Sequence, residues 1–311
     1  MKRLSLKKKV EIIRKYLITQ ELQDKVKDNS RMKKIFWGLI LLLSNWRSMI
    51  GVLNNSYLIL NYIEMVITTK CSLRCRDCGN LIQYYDNPYH ISREINLSAI
   101  DKLLDTVDQI NMFRLLGGEP LLYLDLKEIL IKLGESDKVR KVQIVTNGTL
   151  LIRDKEIMEI LKEAKFSVYV SNYGAVSKNI KELEKAFIRD GITYEIAAED
   201  YEWMDLGGIK RRERTKAEVT QQYKNCNPLC KSYINGKLHH CPRSSNGMDL
   251  GIVPENKKDF IDFLDKNVPR EEKRRRLMEF LYGNSNLFVE ACYYCDKGTK
   301  NIKKVKPGIQ K

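Results

Sequence analysis

The chain has 311 residues, 31% charged and 43% hydrophobic, the balance of a soluble protein long enough to bury one large domain and a smaller one. Its net charge of +15 sits mostly at the ends: residues 1–34 hold twelve Lys/Arg against four Asp/Glu, and residues 297–311 hold six Lys and no acid. The body between is close to neutral, which excludes a basic nucleic-acid groove across it; the two ends suit an anionic membrane or an acidic partner, or are simply solvated. Residues 1–55 read as a helical extension, with Leu6, Val10, Ile13 and Leu17 on one face and Lys7, Lys8, Arg14 and Lys15 largely on the others. Such a basic amphipathic helix either makes peripheral contact with a membrane surface or caps a domain. The apolar run from Ile35 to Leu43 is nine residues, too short to span a bilayer. No apolar h-region and cleavage site follow the basic start, so the setting expected is cytoplasmic, where eight clustered cysteines point to metal binding.

From about residue 56 strands and helices alternate. The β-branched run Tyr62–Thr69 predicts a first strand, followed by a helix over about 97–109 with Asn96 or Ser98 as its cap. Met112–Leu116 predicts a second strand, about 124–134 a helix, and Lys141–Thr146 a third strand ending in Asn147-Gly148. A helix over about 154–164, a strand over Phe166–Val170 ending in Ser171-Asn172, a helix over about 177–189 and a strand over Ile192–Ala197 complete the series. Repeats of this length imply an α/β fold with a parallel sheet, whose ligands gather at the strands' C-terminal ends. Periodicity alone does not separate a barrel from a doubly wound sheet.

Two of those strand ends carry chemistry. Cys71-Ser-Leu-Arg-Cys75-Arg-Asp-Cys78 leaves the first strand with three thiols at x3 and x2 spacing. Three thiolates on one short loop can hold three irons of a cubane and leave the fourth open to a small molecule, whereas a structural zinc takes four protein ligands. Half a zinc ribbon or buried thiols are the alternatives. Gly117-Gly118-Glu119-Pro120 ends the second strand, and a glycine pair there lets a ligand approach the backbone closely.

The two motifs together, in this order, resemble the radical S-adenosylmethionine (radical SAM) enzymes. The resemblance implies a partial (β/α)6 TIM-like barrel, a [4Fe-4S] cluster on Cys71, Cys75 and Cys78, and SAM bound at its open iron and along Gly117–Pro120. By position, Thr146 and Asn147, and more weakly Ser171 and Asn172, match polar residues that reach SAM. One departure stands out: the family often has an aromatic residue before the third cysteine, and this chain has Asp77.

After about residue 205 the pattern changes. Gly208–Thr215 is charged and reads as solvated or as a mobile link. Tyr233-Ile-Asn-Gly-Lys-Leu-His239 predicts a hairpin with Asn-Gly at its tip. The spacing Cys226-x9-Gly236-x4-Cys241, closed by Cys292-Tyr-Tyr-Cys295, resembles the twitch/SPASM-like auxiliary cluster domains of the same superfamily. The ligands so implied are Cys241, Cys292, Cys295 and Cys226, which fits the family spacing better than Cys230; Cys230 stays a candidate, and a four-cysteine zinc knot uses the same residues. The domains expected are therefore 1–55, 56–205 and 206–311.

What the resemblance implies is a SAM-cleaving enzyme that takes hydrogen from a substrate, with an electron donor such as flavodoxin or ferredoxin. By analogy with twitch-bearing aminocyclitol dehydrogenases, the reaction expected is oxidation of a sugar- or cyclitol-like small molecule. A peptide-modifying SPASM-type maturase is the alternative, and a zinc-ribbon binding protein the non-enzyme one. A molybdenum-cofactor-type cyclase ranks lower, because its glycine-rich tail with arginines is not matched by Lys-Pro-Gly-Ile-Gln-Lys here.

Overall fold

A computed structural model of the chain describes Lys9 and residues 57–226, 231–282, 288–300 and 302–311. The remainder of the N-terminal extension, with its amphipathic and apolar runs, and Cys230 lie outside the described residues. The strand–helix series runs β1 (Ile59–Thr68), α1 (Arg93–Thr106), β2 (Gln109–Gly117), α2 (Leu126–Glu135), β3 (Val139–Thr146), α3 (Lys155–Leu161), β4 (Phe166–Val170), α4 (Ile180–Asp190) and β5 (Tyr194–Ile196). It continues with β6 (Trp203–Met204), α5 (Lys216–Cys226), β7 (Lys231–Ile234), β8 (Lys237–His239), α6 (Pro242–Asp249), β9 (Phe260–Asp262), α7 (Arg270–Tyr282) and β10 (Lys304–Val305).

Why these elements form is visible in their faces. Ile63, Met65 and Ile67 alternate along β1 into a core shared with Ile100 and Leu103 of α1 and Ile129, Leu130 and Leu133 of α2. Truncating one such fully buried leucine to alanine costs about 2–5 kcal/mol. The cap of α1 is Ser92, whose hydroxyl accepts from the Ile95 amide at 3.3 Å, and not Asn96 or Ser98. Asn96 is instead buried within the helix and donates to Ile91 O and the Tyr123 hydroxyl.

The main sheet has the order β5-β4-β3-β2-β1-β7-β8-β9, with β1 to β5 parallel in sequence order. This is the mostly parallel, open arrangement of a partial barrel. A sixth parallel strand, β7, lies beside β1, pairing Ile63 with Lys231 and Met65 with Tyr233. The Tyr233 hydroxyl donates to Ala99 O of α1 at 2.8 Å, so the sheet and its core cross the division expected at residues 205/206. The hairpin β7–β8 forms as expected, with Asn235 (φ 49°) and Gly236 (φ 75°) both left-handed at its tip. A separate two-stranded sheet joins β10 to β6.

Candidate active site

The ends of β1 and β2 are held together closely. The Gly118 amide donates to Thr68 O at 2.8 Å and the Glu119 amide to Lys70 O at 2.9 Å. A Cβ on Gly117 (φ +153°) would stand 2.1 Å from Thr68 O, and one on Gly118 would stand 2.1 Å from Lys70 O and 2.9 Å from Cys71 Cβ. The glycine pair is therefore needed first by the neighbouring loop that carries Cys71, and not only by an approaching ligand.

Glu119 is fully buried. One carboxylate oxygen accepts from the Leu121 amide (3.1 Å) and the other from the Asn147 amide (2.8 Å), which ties the end of β2 to the end of β3. Burial pushes its carboxyl up to about 7, against the opposing pull of those donors. Asn147 in turn donates to Ser72 Oγ at 3.0 Å and lies 3.6 Å from Cys71 Sγ. Ser177 Oγ donates to Asn147 O and Ser171 O, linking the ends of β3 and β4.

These connections converge on one cavity of about 230 Å³. Cys71, Cys75, Cys78, Gly117, Gly118, Thr146, Asn147 and Ser171 all line it. Glu119 does not line it, and Asn172 turns away to accept from the Gly174 amide at 3.0 Å, shaping its own loop. Pro120 opens a short 3-10 turn behind the site. Two further lining residues, Tyr173 and Trp203, carried no signal in the sequence; their rings meet edge to face at 5.4 Å. Asp77 pairs with Arg76 at 2.9 Å, so the cavity's aromatic wall comes from Tyr173 and Trp203.

Burial pushes the Cys71 thiol up to about 12 and Cys75 to about 11, and raises Cys78 as well. Thiolates are tenable at such positions only against strong positive charge, which is the charge a metal cluster brings. The donor set, grouped around an otherwise open cavity, fits a cubane held by three protein ligands.

The second cysteine set lies within mutual electrostatic reach. Cys226 ends α5, Cys241 precedes α6, and Cys292 and Cys295 flank the end of a 3-10 turn over Glu290–Tyr294. Burial first, then the neighbouring thiols, push Cys241 up to about 12 and raise Cys292; in Cys226, burial and Cys295 act in the same direction, opposed by Lys297 and Lys231. Among the described residues no three His, Cys, Asp or Glu converge on a position that could hold a metal ion, in this set or at Cys71, Cys75 and Cys78. A cubane takes one thiolate per iron and asks for a wider ring of ligands.

The stretch Gly208–Thr215 is exposed at Gly208, Lys210, Arg211, Glu213 and Thr215, as a solvated link would be, but through Arg212 and Arg214 it also clamps the Cys292–Cys295 turn. Arg214 donates to Cys295 O at 2.7 Å and pairs with Asp296, which also pairs with Arg212 at 2.6 Å. The Arg212 amide donates to Tyr293 O, and the Arg211 guanidinium lies over the Tyr293 ring at 4.4 Å. Arg243, buried, donates to Tyr294 O (2.6 Å) and Gly207 O (2.8 Å). It lies within electrostatic reach of Cys78 and of Cys241 and Cys295.

Comparison with known proteins adds three findings. The family model described as Radical SAM superfamily matches residues 65–196. A GTP 3',8-cyclase of Haemophilus ducreyi is 34% identical over 95 residues, which cover 30% of this chain and 27% of that protein, so the chain spans under a third of this relative's length. Among solved structures, BtrN in complex with AdoMet and 2-DOIA is 16% identical with a TM-score of 0.47, covering 78% of this chain and 96% of that one. Native anSMEcpe with bound AdoMet is 14% identical with a TM-score of 0.47, covering 78% and 84%.

Proposed function

We propose that this chain, which carries a radical SAM domain over residues 65–196, cleaves SAM reductively at a [4Fe-4S] cluster on Cys71, Cys75 and Cys78 and takes hydrogen from a small-molecule substrate. The observation that carries the reading is the single cavity onto which the three thiols, the Gly117–Gly118 backbone and the polar ends of β3 and β4 open together. When bound, the cluster supplies the electron that splits SAM into methionine and a 5′-deoxyadenosyl radical. The chain's own residues bind and orient. Gly117 and Gly118 offer bare backbone to the ligand's amino group, and Thr146, Asn147 and Ser171 offer polar groups on the next two strands. Tyr173 and Trp203 wall the cavity and exclude water from a reactive radical.

The finer reading is a net two-electron oxidation, of an alcohol to a ketone on a sugar- or cyclitol-like molecule. Cys226, Cys241, Cys292 and Cys295 would hold a second cluster, and the chemistry it would supply is to accept the electron left on the substrate once a hydrogen atom and a proton are gone. Arg243 is within electrostatic reach of Cys78 and of Cys241 and Cys295, which supports the two cysteine sets working as one site. A low-potential donor such as flavodoxin or ferredoxin supplies the first electron. A second reading, cyclisation of a nucleotide, is favoured by the identity to GTP 3',8-cyclase, and GTP is accordingly among the substrates to test.

The test is direct. Anaerobically purified and reconstituted protein should be brown, contain iron and sulfide, and form 5′-deoxyadenosine from SAM with dithionite. Replacing Cys71, Cys75 and Cys78 together by Ala should abolish that product. Retained 5′-deoxyadenosine in the triple variant would overturn the assignment.

A further inference from the structure

We propose that Gln310 tunes the reduction potential of the cluster on Cys71, Cys75 and Cys78 by donating a hydrogen bond to the Cys75 sulfur. The inference rests on the proposed reading of those three cysteines as cluster ligands. It begins with a path of the chain that the sequence did not announce. In β10, Val305 pairs with Trp203 and Lys304 with Met204, which brings the segment to the aromatic wall of the cavity. Pro307 and Gly308 are buried there, and Gly308 (φ +72°) lies so close to Tyr173 that a Cβ would come within 2.5 Å of its Cβ.

The segment then lies antiparallel along the cysteine loop. The Arg76 amide donates to Ile309 O at 2.7 Å, the Lys311 amide donates to Arg74 O at 2.8 Å, and Cys75 and Gln310 form a β-bridge between them. Lys311 Nζ stands over the Tyr84 ring at 5.0 Å. A strap from far along the sequence is thus stitched to the middle of the CxxxCxxC motif by main-chain hydrogen bonds.

The Gln310 side chain is fixed at both ends. Its oxygen accepts from the Arg74 amide at 2.8 Å, and its nitrogen donates to Gly308 O at 2.6 Å and to Cys75 Sγ at 3.4 Å. Turning the amide over would set donor against donor and acceptor against acceptor, so this network selects one orientation. One amide hydrogen is taken by the Gly308 carbonyl and the other is left for sulfur. A cluster gains negative charge on reduction, and an N–H aimed at a ligand sulfur stabilises that charge; hydrogen bonds to sulfur are among the levers that set cluster potentials. Gln310 touches a sulfur ligand and not the substrate, so its role is one of tuning.

The experiment compares unmodified protein with Gln310→Leu, which keeps the side chain's bulk and removes the donor. Both are reconstituted as full chains, their iron and sulfide are measured, and the reduced cluster is followed by electron paramagnetic resonance in a mediator titration. The signal belonging to the SAM-binding cluster is identified by its change on adding SAM. With equal iron content, Gln310→Leu should show a lower midpoint potential, read as an about threefold to tenfold smaller reduced-to-oxidised ratio at one fixed solution potential; tenfold corresponds to about 59 mV for a one-electron couple. Gln310→Glu, which replaces the amide donor by a carboxylate, should lower it at least as far. An unchanged midpoint would overturn the proposal. Loss of the cluster in Gln310→Leu would overturn it too, because the strap would then be a condition of assembly and not a modulator of an assembled cluster. Unmodified protein that binds no iron through Cys71, Cys75 and Cys78 would instead remove the functional reading beneath it.

Discussion

Glu119 shows two demands meeting on one side chain. Its oxygens are both needed as acceptors, for the Leu121 and Asn147 amides, yet burial disfavours the charge that makes them good acceptors. The carboxyl moves from its ordinary 4.5 up to about 7, so the folded chain holds this proton more tightly than the unfolded one. The sign follows: Glu119's contribution to stability is full below the ordinary value and is lost as pH rises through about 7. Denaturant unfolding of the unmodified chain should therefore show a loss on the order of 2–3 kcal/mol from this group between about pH 5 and about pH 8. Glu119→Gln should flatten that part of the profile. It should also cost about 1–3 kcal/mol at the acid end, because one amide hydrogen then faces a backbone N–H. A variant with the same slope as the unmodified chain would show that the carboxylate is already charged throughout. The GGEP motif was legible at this scale as four residues at a strand end. That its glycines serve the Cys71 loop and its glutamate serves the next strand was not, because both are main-chain relations that leave no side-chain pattern in the sequence.

At the scale of elements, the strand–helix series was legible because its periods change cleanly from two to about three and a half, and β4 falls on Phe166–Val170 as expected. The boundaries moved where a cap outside the apolar run decides them, as Ser92 does for α1. In Gly208–Thr215 the exposed residues were legible and the clamp was not, for a physical reason. A run of arginines looks the same whether water or a half-buried carboxylate receives it, and the receiving Asp296 is more than eighty residues away. Burial raises the Asp296 carboxyl, but the hydrogen bonds from Arg212 and Arg214 outweigh it and hold the carboxyl below its ordinary value. Its stabilising share is therefore present near neutral pH and lost as pH falls through its folded value. Asp296→Asn should lower stability by about 1.5–3 kcal/mol near pH 7, with a smaller difference in acid, measured by denaturant unfolding of both chains. Equal midpoints near neutral pH would mean that Arg214 is held by the Cys295 carbonyl and Arg212 by the Lys210 carbonyl without help from the carboxylate.

For the whole molecule, the question is whether the two cysteine sets are one machine. The sheet argues that they are: β7 joins β1 directly, so the hairpin preceding Cys241 extends the same sheet whose first strand leads into Cys71. Arg243 ties Gly207 to Tyr294 within electrostatic reach of cysteines of both sets, and the strap at 304–311 runs from the region after Cys295 back to Cys75. The hairpin was legible in the sequence; its docking on β1, the reach of Arg243 and the path of the strap were not. β7 is four residues long, and the lysine-rich strap has the composition of a solvated end. If the sets work together, they should be separable by function. Cys292→Ala with Cys295→Ala leaves Cys71, Cys75 and Cys78 untouched, so 5′-deoxyadenosine should still form from SAM with dithionite. With a deuterated substrate, deuterium should enter 5′-deoxyadenosine in both proteins, because the hydrogen is removed before the second set is needed. Oxidised product should appear only with the unmodified chain, since in the variant the substrate radical has no nearby acceptor for its electron. Iron analysis of the Cys71, Cys75 and Cys78 triple Ala variant supplies the control: it should retain the iron of one cluster. Zinc in its place would make the second set a structural knot, and equal oxidised product from both proteins would leave any cluster there without a part in the chemistry. With zinc there the dehydrogenase reading would fall, and the reaction would have to return its electron to the SAM-derived fragment or end redox-neutral, as in a cyclisation or rearrangement; with equal oxidised product the oxidation would stand but its electron would leave by another acceptor, and in both cases the cavity at Cys71 would keep its assignment.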